Sequence, residues 1–547
     1  MATSLLAGGA ARAEWSGLVF VDRNANGVRD TGEPGRAGTV ISNGREVVRS
    51  GADGRYRLPE APAEDGGFVF VTRPRGFECA QWFHRGPGDF ALVPVEALDN
   101  FFFVQISDVH AYDRAQDFAD FSVRGPFSWA PQWAQAWFML RIANRMLSPR
   151  FTEDVSAELR TALAPHRDVE GKGDTRLFMD YLDEFNRPGS ELGDVASQIR
   201  RALQEVAALR PAFLISTGDL VLEGNQAPPD VVERWLAFYR ETTRALGVPV
   251  YNTIGNNEIA GSERDDISID DPRYGKSLFK TFYGPTYYSF DRGAFHFAAL
   301  DTHQPKQPGS KRWDFNRLSA QVKNWLDADL ALHPEATRVV LNHEPFHFDP
   351  DWPMPDNGKL VVSDEGLFER HGVAYVLAGH THLNGFEERG PTTHITTGAL
   401  SGFRWLLPPG LYPRGYRLFY ARGTRLYSAW KEVGQVALGF IDPVGDASLH
   451  PASAGALRPE ASAVYGAIDL VAVAADRSGP FARLRLLLDG ASVPFERWGD
   501  YFLHARLAPA PLPTDVPSGR SLVLEAIRAS GEIERVELRF PPPGEAR

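Results

Sequence analysis

Five short apolar runs in this chain are each followed by side chains of types that bind metal ions. The runs and their polar ends read FFFVQISDVH, PAFLISTGDLV, PVYNTIGNNE, RVVLNHEP and YVLAGHTH. Loops at strand ends are the usual place for binding sites in layered α/β proteins. If the runs are neighbouring strands, seven ligand-type side chains meet in one pocket: Asp108, His110, Asp219, Asn256, His343, His380 and His382.

The order of these blocks resembles that of the calcineurin-like metallophosphoesterases. That family's signature runs DxH, GDxx, GNH(D/E), H and GHxH, and this chain reads DVH, GDLV, GNNE, NHEP and GHTH across residues 99–432. The whole chain resembles a bacterial subfamily with N- and C-terminal β accessory domains. The resemblance implies an α/β fold: a four-layer α-β-β-α sandwich core flanked by two small all-β sandwich domains.

The resemblance also implies a dinuclear centre and a reaction. Site one would take Asp108, His110, Asp219 and His382, and site two would take Asp219, Asn256, His343 and His380, with Asp219 shared. Mixed nitrogen and oxygen ligands suit two divalent transition metals, and the choice among Zn, Fe, Mn and Co stays open. The implied activity is that of a metal-dependent phosphoric ester hydrolase. It would hydrolyse phosphomonoesters or phosphodiesters by attack of a hydroxide that bridges the metals.

One position departs from the family pattern. The family places a histidine general acid where this chain has Asn257, which cannot deliver a proton, whereas the following acid is retained as Glu258. We assign Asn257 and Glu258 to the catalytic set. The missing imidazole leaves three explanations: another acid such as His303, His347 or His394, a substrate with a good leaving group, or slow turnover.

Two other functions remain open. The chain would be a metal-binding pseudoenzyme or cell-surface binding module without efficient turnover if Asn257 marks a lost activity. A metal-dependent amide or ester hydrolase is a weaker alternative. A full set of ligand-type residues favours the enzyme, because a dead site has no need of it.

Composition limits the partners. The chain has 547 residues with a net charge of −12, which argues against specific nucleic-acid binding. A small phosphoester substrate is the partner that the family resemblance implies. The single cysteine, Cys79, excludes an internal disulfide and is typical of a small core residue. No apolar run is long enough for a transmembrane segment. The oligomeric state is left open.

The N-terminal part has two features of its own. Residues 1–14 are either an export signal or a tail, and residues 15–98 predict a small β-sandwich. Its segment around DRNANGVRDTGE is similar to the calcium-binding B domains of bacterial adhesins. That similarity implies structural calcium held by Asp22, Asn24, Asn26, Asp30 and Glu33, against the alternative of an ion-free polar turn. Adhesin domains are extracellular, so we expect an exported protein (periplasmic, secreted or cell-surface), although a cytoplasmic one is not excluded.

Two further domains complete the predicted organisation. The family resemblance implies a metallophosphoesterase domain over residues 99–432, and the long segment at 111–200 predicts a helical insert within it. Trp129, Trp133 and Trp137 in this insert are spaced as one helix face, which indicates either a helix packed on the domain or a lid over the site. Residues 433–547 return to alternating apolar runs and predict a C-terminal β-sandwich.

Overall fold

A computed structural model describes most of the chain. The described residues are 14–61, 67–117, 157, 160–165, 174–315, 317–346, 365–406, 409, 413–441, 446–447, 468–476, 479–507 and 520–540. Residues 1–13 of the predicted export signal or tail, and the predicted helix with Trp129, Trp133 and Trp137, lie outside them, whereas Glu14 already begins the first strand. Among the described residues, no helix combines the length and the apolar character needed to cross a bilayer.

The N-terminal part forms two four-stranded sheets. Its strands are β1 Glu14–Val21, β2 Val40–Ser42, β3 Val47–Arg49, β4 Arg55–Pro59, β5 Phe68–Val71, β6 Phe77–Glu78, β7 Phe83–Arg85 and β8 Phe90–Pro94. One sheet has the order β4-β1-β8-β6 and the other β3-β2-β5-β7. Alternate residues such as Tyr56 and Leu58 of β4 point into a shared apolar core that includes Cys79. This alternation is the period-two pattern expected of a half-buried strand.

The central part contains two six-stranded sheets. Its strands are β9 Phe101–Ile106, β10 Leu214–Ser216, β11 Val250–Asn252, β12 Tyr288–Arg292, β13 Phe295–Ala299, β14 Gln304–Pro305, β15 Trp313–Asp314, β16 Thr337–Leu341, β17 Val373–Ala378, β18 Gly385–Arg389, β19 Thr392–Thr396, β20 Gly415–Arg422 and β21 Arg425–Glu432. The described helices are α1 Ala115–Asp117, α2 Asp174–Asn186, α3 Val195–Ala208, α4 Pro229–Arg244, α5 Ser277–Tyr283, α6 Ala320–Ala331 and α7 Glu365–Arg370.

The C-terminal part adds further strands. They are β22 Ala437–Ile441, β23 Asp446–Ala447, β24 Ile468–Ala475, β25 Arg483–Leu488, β26 Ala491–Val493, β27 Glu496–Trp498, β28 Phe502–Leu507, β29 Arg520–Ile527 and β30 Ile533–Phe540. They form two four-stranded sheets of order β22-β24-β28-β27 and β26-β25-β29-β30. β23 departs from this arrangement because it pairs with β21 and so extends a central sheet. The chain segment predicted as a separate C-terminal domain therefore contributes one strand to the core.

The two central sheets face each other across an aromatic core. The first has the order β11-β10-β9-β20-β21-β23 and the second β12-β13-β16-β17-β19-β18. Phe103 of the first sheet stacks on Phe213 and Phe419, with ring centroids 4.8 and 4.7 Å apart, and meets Phe297 of the second sheet edge-on at 5.9 Å. These contacts fix the two sheets relative to each other, and so fix the relative positions of their strand ends.

Helices cover the outer faces of these sheets. α3 begins at Asp194, whose side chain accepts a hydrogen bond from the Ser197 amide, and it buries Ile199 and Leu203 in one cluster with Val104 of β9. α6 begins with a similar cap at Ser319 and buries Trp325 and Leu326 against the second sheet.

Candidate metal centre

The predicted ligands follow five strands of the two central sheets. β9, β10 and β11 are parallel neighbours in the first sheet, and β16 and β17 are parallel neighbours in the second. The carboxyl ends of parallel neighbours meet at one edge, which brings the residues after each strand together. The prediction of neighbouring strands therefore holds within each sheet, while the five strands are divided three and two between the sheets.

The first convergent group consists of Asp108, His110 and His382, whose ligand atoms all lie within 4.8 Å of one another. His110 Nε2 lies 2.9 Å from His382 Nε2. Asp108 Oδ1 lies 3.4 Å from His382 Nε2 and 3.9 Å from His110 Nε2. The remaining ring nitrogens contact carbonyl oxygens, His110 Nδ1 at Leu222 and His382 Nδ1 at Gly402. Such outer contacts orient a histidine so that its other nitrogen faces a metal.

The second convergent group consists of Asp219, His343 and His380. His343 Nε2 lies 3.2 Å from Asp219 Oδ1 and 3.2 Å from His380 Nδ1. Asn256 Oδ1 lies 3.1 Å from both histidine nitrogens. Asp219 Oδ2 also lies 3.9 Å from His110 Nε2, so its carboxylate reaches both groups. The structure thus brings all seven predicted ligand residues together.

Two observations fit divalent cations in these groups. Asp108 Oδ1 is buried without a hydrogen-bond partner, an arrangement that costs free energy unless a cation neutralises it. The His110 and His382 nitrogens also face each other at hydrogen-bonding distance, although only one of them can carry the shared proton. A metal ion that accepts both lone pairs removes both problems.

Glycines allow the close approach of these loops. A Cβ on Gly218 would lie 2.5 Å from His343 Nδ1, and a Cβ on Gly255 would lie 2.3 Å from the Asp219 amide nitrogen. A Cβ on Gly379 would lie 1.7 Å from Ser107 Oγ. These three positions, each just before a predicted ligand, exclude any side chain because the neighbouring loop fills the space.

Protonation in the site follows burial and charge. Burial lowers the pKa of His110 to about 3, which keeps its imidazole neutral as a metal ligand must be. Burial opposes the charged form of Asp219, but His343 and His110 nearby hold the pKa of its carboxyl well below its usual value. Conversely, the Asp219 carboxylate overcomes burial and raises the pKa of His343. The negative charge of Asp219 therefore favours positive charge on the neighbouring groups of the site.

Asn257 and Glu258 lie behind the ligands. The Asn257 side chain is 1% exposed, and its amide donates to the Leu222 carbonyl and contacts His110 Nδ1 at 3.1 Å. Its backbone N–H donates to Asp219 Oδ1. Glu258 accepts from the Val221 and Gly255 amides, and burial together with Asp219 raises its pKa to about 8. These contacts of Asn257 and Glu258 hold together the loops that carry the predicted ligands.

The three candidate acids have different positions. His303 is buried, lies 2.6 Å from Glu344 Oε1 and borders a cavity of about 490 Å³ whose lining includes none of the seven predicted ligands. His394 lies in β19 and is buried. His347 lies outside the described residues. Glu344 directly follows His343, so His303 reaches the site through one intervening carboxylate.

A loop missed by the sequence analysis wraps the first group. Ser401 Oγ donates to the Asp108 carbonyl, Gly402 accepts from His382, and Trp405 Nε1 donates to the Val109 carbonyl. Between them, Arg404 forms an ion pair with the buried Glu223, and Arg404 also contributes to the low pKa of His110. Arg404 and Trp405 both have positive φ, at 51° and 66°. Two adjacent bulky residues with positive φ suggest a functional role for this loop, and the backbone conformation cannot be recognised from the sequence alone.

The predicted calcium loop is closed by its own side chains. Asp22 accepts from the Asn26 and Gly27 amides, and Asp30 accepts from the side chains of Asn24 and Asn26. Glu33 accepts from the Arg23 and Asp30 amides. In the described part of the chain, its acidic residues are not among the convergent groups that could hold a metal. Calcium here stays a prediction.

Two histidine–carboxylate groups at the strand ends of an α/β core are typical of metal-dependent hydrolases. A family model described as calcineurin-like phosphoesterase matches residues 103–384. The chain belongs to this calcineurin-like phosphoesterase family.

Solved structures show similarity at low identity, and no curated protein matches the chain. GAP50, described as the anchor in the inner membrane complex of Plasmodium, is 11% identical over 61% of this chain and 85% of its own, with a TM-score of 0.29. A predicted phosphoesterase of Streptococcus pneumoniae is 9% identical over 61% and 91%, with a TM-score of 0.22. Phosphopantetheinyl hydrolase of Mycobacterium tuberculosis is 15% identical over 36% and 84%, with a TM-score of 0.25.

Proposed function

We propose that this protein is a dinuclear-metal phosphoesterase that acts on phosphomonoesters or phosphodiesters. The observation that carries the proposal is the pair of convergent groups, Asp108/His110/His382 and Asp219/His343/His380. Asp219 would bridge the two ions, and Asn256 would complete the second set. When bound, two divalent ions would supply an activated water nucleophile and neutralise charge on the phosphoryl group.

We assign Asn257 and Glu258 to positioning rather than proton transfer. The Asn257 amide reaches the back of His110, and Glu258 holds the Gly255 and Val221 amides, so neither side chain faces a leaving group. Arg404 is the better candidate for direct contact with substrate. Its side chain is 22% exposed beside the first group, and a guanidinium suits phosphoryl oxygens. On this assignment, substrates with good leaving groups are preferred.

The finer architecture belongs to the same proposal. The cover of α3 on the first sheet and of α6 on the second supports a four-layer α-β-β-α core. The separate apolar clusters of the N- and C-terminal strands support two accessory β domains with boundaries near residues 98 and 433. Export and structural calcium rest on the sequence resemblance.

The test combines metal content with hydrolysis on one sample. Purified protein would be analysed by metal mass spectrometry and assayed with aryl phosphomonoester and phosphodiester dyes. We expect two transition metals per chain in these groups and hydrolysis that Asp219→Ala abolishes. Asp500→Ala is the control because Asp500 is half exposed, pairs with Arg210 and belongs to neither convergent group. Hydrolysis that survives Asp219→Ala would refute the proposal.

A metal-binding module without turnover is the second candidate. The buried Asn257 in place of an imidazole favours it. Full metal content without hydrolysis of either dye would support this candidate. Absence of metal from these groups after loading would exclude both candidates.

A further inference from the structure

A third group of ligand-type side chains lies on the far strands of the second sheet. It consists of Asp291, at the end of β12, His296 in β13 and His333, which follows α6. One ligand atom from each lies within 4.8 Å of the others, as in the two groups of the metal centre. We call this the hairpin cluster, because β12 and β13 form an antiparallel hairpin. None of its residues belongs to the predicted catalytic site.

Asp329 orients both histidines of the hairpin cluster. His296 Nε2 lies 2.8 Å from Asp329 Oδ2, and His333 Nδ1 lies 2.8 Å from the Asp329 carbonyl oxygen. The second carboxylate oxygen of Asp329 accepts from Ser289 Oγ at 3.0 Å. One nitrogen of each ring is therefore committed to an acceptor, which turns His296 Nδ1 and His333 Nε2 towards Asp291. A metal-binding histidine usually has this kind of outer acceptor.

The hairpin cluster leaves electron pairs facing one another. The His296 and His333 rings are stacked with centroids 3.8 Å apart, so both cannot carry a positive charge without strong repulsion. His333 donates its Nδ1 proton to a carbonyl, and a neutral His333 therefore presents the Nε2 lone pair to Asp291 Oδ2, 4.0 Å away. A cation between these two acceptors would offset their repulsion, and His333 is only 11% exposed to water that could do so instead.

The longest histidine–carboxylate distance in the hairpin cluster is similar to that of the metal centre. His296 Nδ1 lies 2.8 Å from Asp291 Oδ1, and the longer histidine–carboxylate separation is 4.0 Å. In the first group of the metal centre, the histidine–carboxylate separations are 3.4 Å for His382 and 3.9 Å for His110. Both clusters thus contain a histidine–carboxylate gap of about 4 Å that no direct hydrogen bond spans.

We propose that Asp291, His296 and His333 form a third divalent-cation site, which holds a zinc-like ion through two nitrogens and one carboxylate. Two imidazoles and one carboxylate suit Zn²⁺ better than Ca²⁺ or Mg²⁺, and water would complete the coordination from the side where Asp291 is 21% exposed. The alternative is an imidazolium of His296 held between Asp291 and Asp329 without metal.

The surroundings give this site a structural role. The Asp291 amide donates to the Arg73 carbonyl, and Ser289 Oγ contacts Thr72 Oγ1 at 2.8 Å. Arg73 and Thr72 directly follow β5 of the N-terminal part. A cation here would join the hairpin, the end of α6 and the N-terminal sheets at one point, separately from catalysis.

The test compares zinc content between variants of the full-length protein. Wild type, His333→Ala and Asp291→Asn would be equilibrated with zinc, desalted and analysed by mass spectrometry. His371→Ala is the matched control, because His371 also pairs with an aspartate, Asp327, but belongs to none of the convergent groups found in the described part of the chain. We expect each cluster variant to lose one zinc per chain relative to wild type, while the control loses none and dye hydrolysis is unchanged in all.

The readout is a difference in zinc content, so it does not depend on whether the enzyme is active. Asp291→Asn keeps the shape of the side chain and serves if His333→Ala does not fold. Equal zinc content in wild type and the cluster variants would overturn the proposal and favour the metal-free imidazolium. A loss of zinc in the His371→Ala control would also overturn it, because the binding would then be nonspecific.

Discussion

Five of the predicted ligand residues have a backbone conformation that L-residues rarely adopt. Asp108, His110, Asp219, His380 and His382 have φ between 45° and 68°. Each such conformation costs about 1–3 kcal/mol, and interactions with the surroundings must offset this cost. Hydrogen bonds across the loops supply that hold here, as from the His380 amide to Asp108 Oδ2. Strain in this family member is therefore concentrated on the residues that face the proposed ions.

At the residue scale, Asn257→Ala is expected to weaken metal binding while the protein still folds. The amide of Asn257 contacts His110 Nδ1 and the Leu222 carbonyl that orients this ring. Loss of such an outer contact typically reduces metal affinity about 10–100-fold. Calorimetric zinc titration would measure it, with the exposed Asn100→Ala as control. Unchanged zinc affinity would contradict the positioning role.

Arg404→Ala is expected to weaken binding of inorganic phosphate to the metal-loaded protein. A charged hydrogen bond contributes about 1.5–3 kcal/mol, which corresponds to roughly a 10- to 100-fold loss of affinity. The variant should raise KM more than it lowers kcat, and its metal content should stay unchanged. Arg389→Ala, at a half-exposed surface arginine, is the control. Equal phosphate affinity in both variants would contradict substrate contact by Arg404 and would indicate that its role is the ion pair with Glu223.

At the element scale, the loop after β17 depends on a glycine. Gly379→Ala would place a methyl group 1.7 Å from Ser107 Oγ and 2.7 Å from Asp108 Oδ2. We expect overpacking of about 1–3 kcal/mol in chemical denaturation, together with lower zinc content in the first group. Gly366→Ala is the matched control, because that glycine lies in α7 with nothing within 4 Å. Similar stabilities for Gly379→Ala and Gly366→Ala would contradict this expectation. They would show that the loops after β9 and β17 can move apart to accommodate the methyl group.

Much of the element order could be predicted from the sequence, because it depends on local patterns. Strands β9, β10 and β16, for example, coincide with apolar runs of the sequence. The site residues were found because each comes directly after an apolar run. Arg404 and the hairpin cluster carry no such signal. Their partners are distant in sequence, Glu223 for Arg404 and Asp329 for His296, and only packing of separate elements brings them together.

At the scale of the whole molecule, the N-terminal and C-terminal parts of the chain each pack against the central part. Tyr501 of the C-terminal part donates a hydrogen bond to the Leu209 carbonyl and packs on Phe102, with ring centroids 4.9 Å apart. In the N-terminal part, the Arg73 guanidinium lies 4.0 Å from the centre of the Tyr251 ring. We therefore expect unfolding of one part to destabilise its neighbours.

Cys79 provides a reporter of unfolding in the N-terminal part. The side chain is 2% exposed, and burial raises the pKa of its thiol to about 12. At pH 8 the reactive thiolate is scarce, so maleimide labelling should be roughly 10³-fold slower than in denaturant. Labelling of free N-acetylcysteine under both conditions is the control. Equally fast labelling of the native protein would mean that the N-terminal core opens readily.

Arg73 of the N-terminal part forms an isolated β-bridge with Phe290 of β12, at the edge of the second central sheet. β12 is the outermost strand on that side, and an outermost strand with open N–H and C=O groups invites pairing with another molecule. The N-terminal segment occupies part of that row through the hydrogen bond from Asp291 to Arg73. It thereby leaves fewer open backbone groups on β12 for another molecule to pair with.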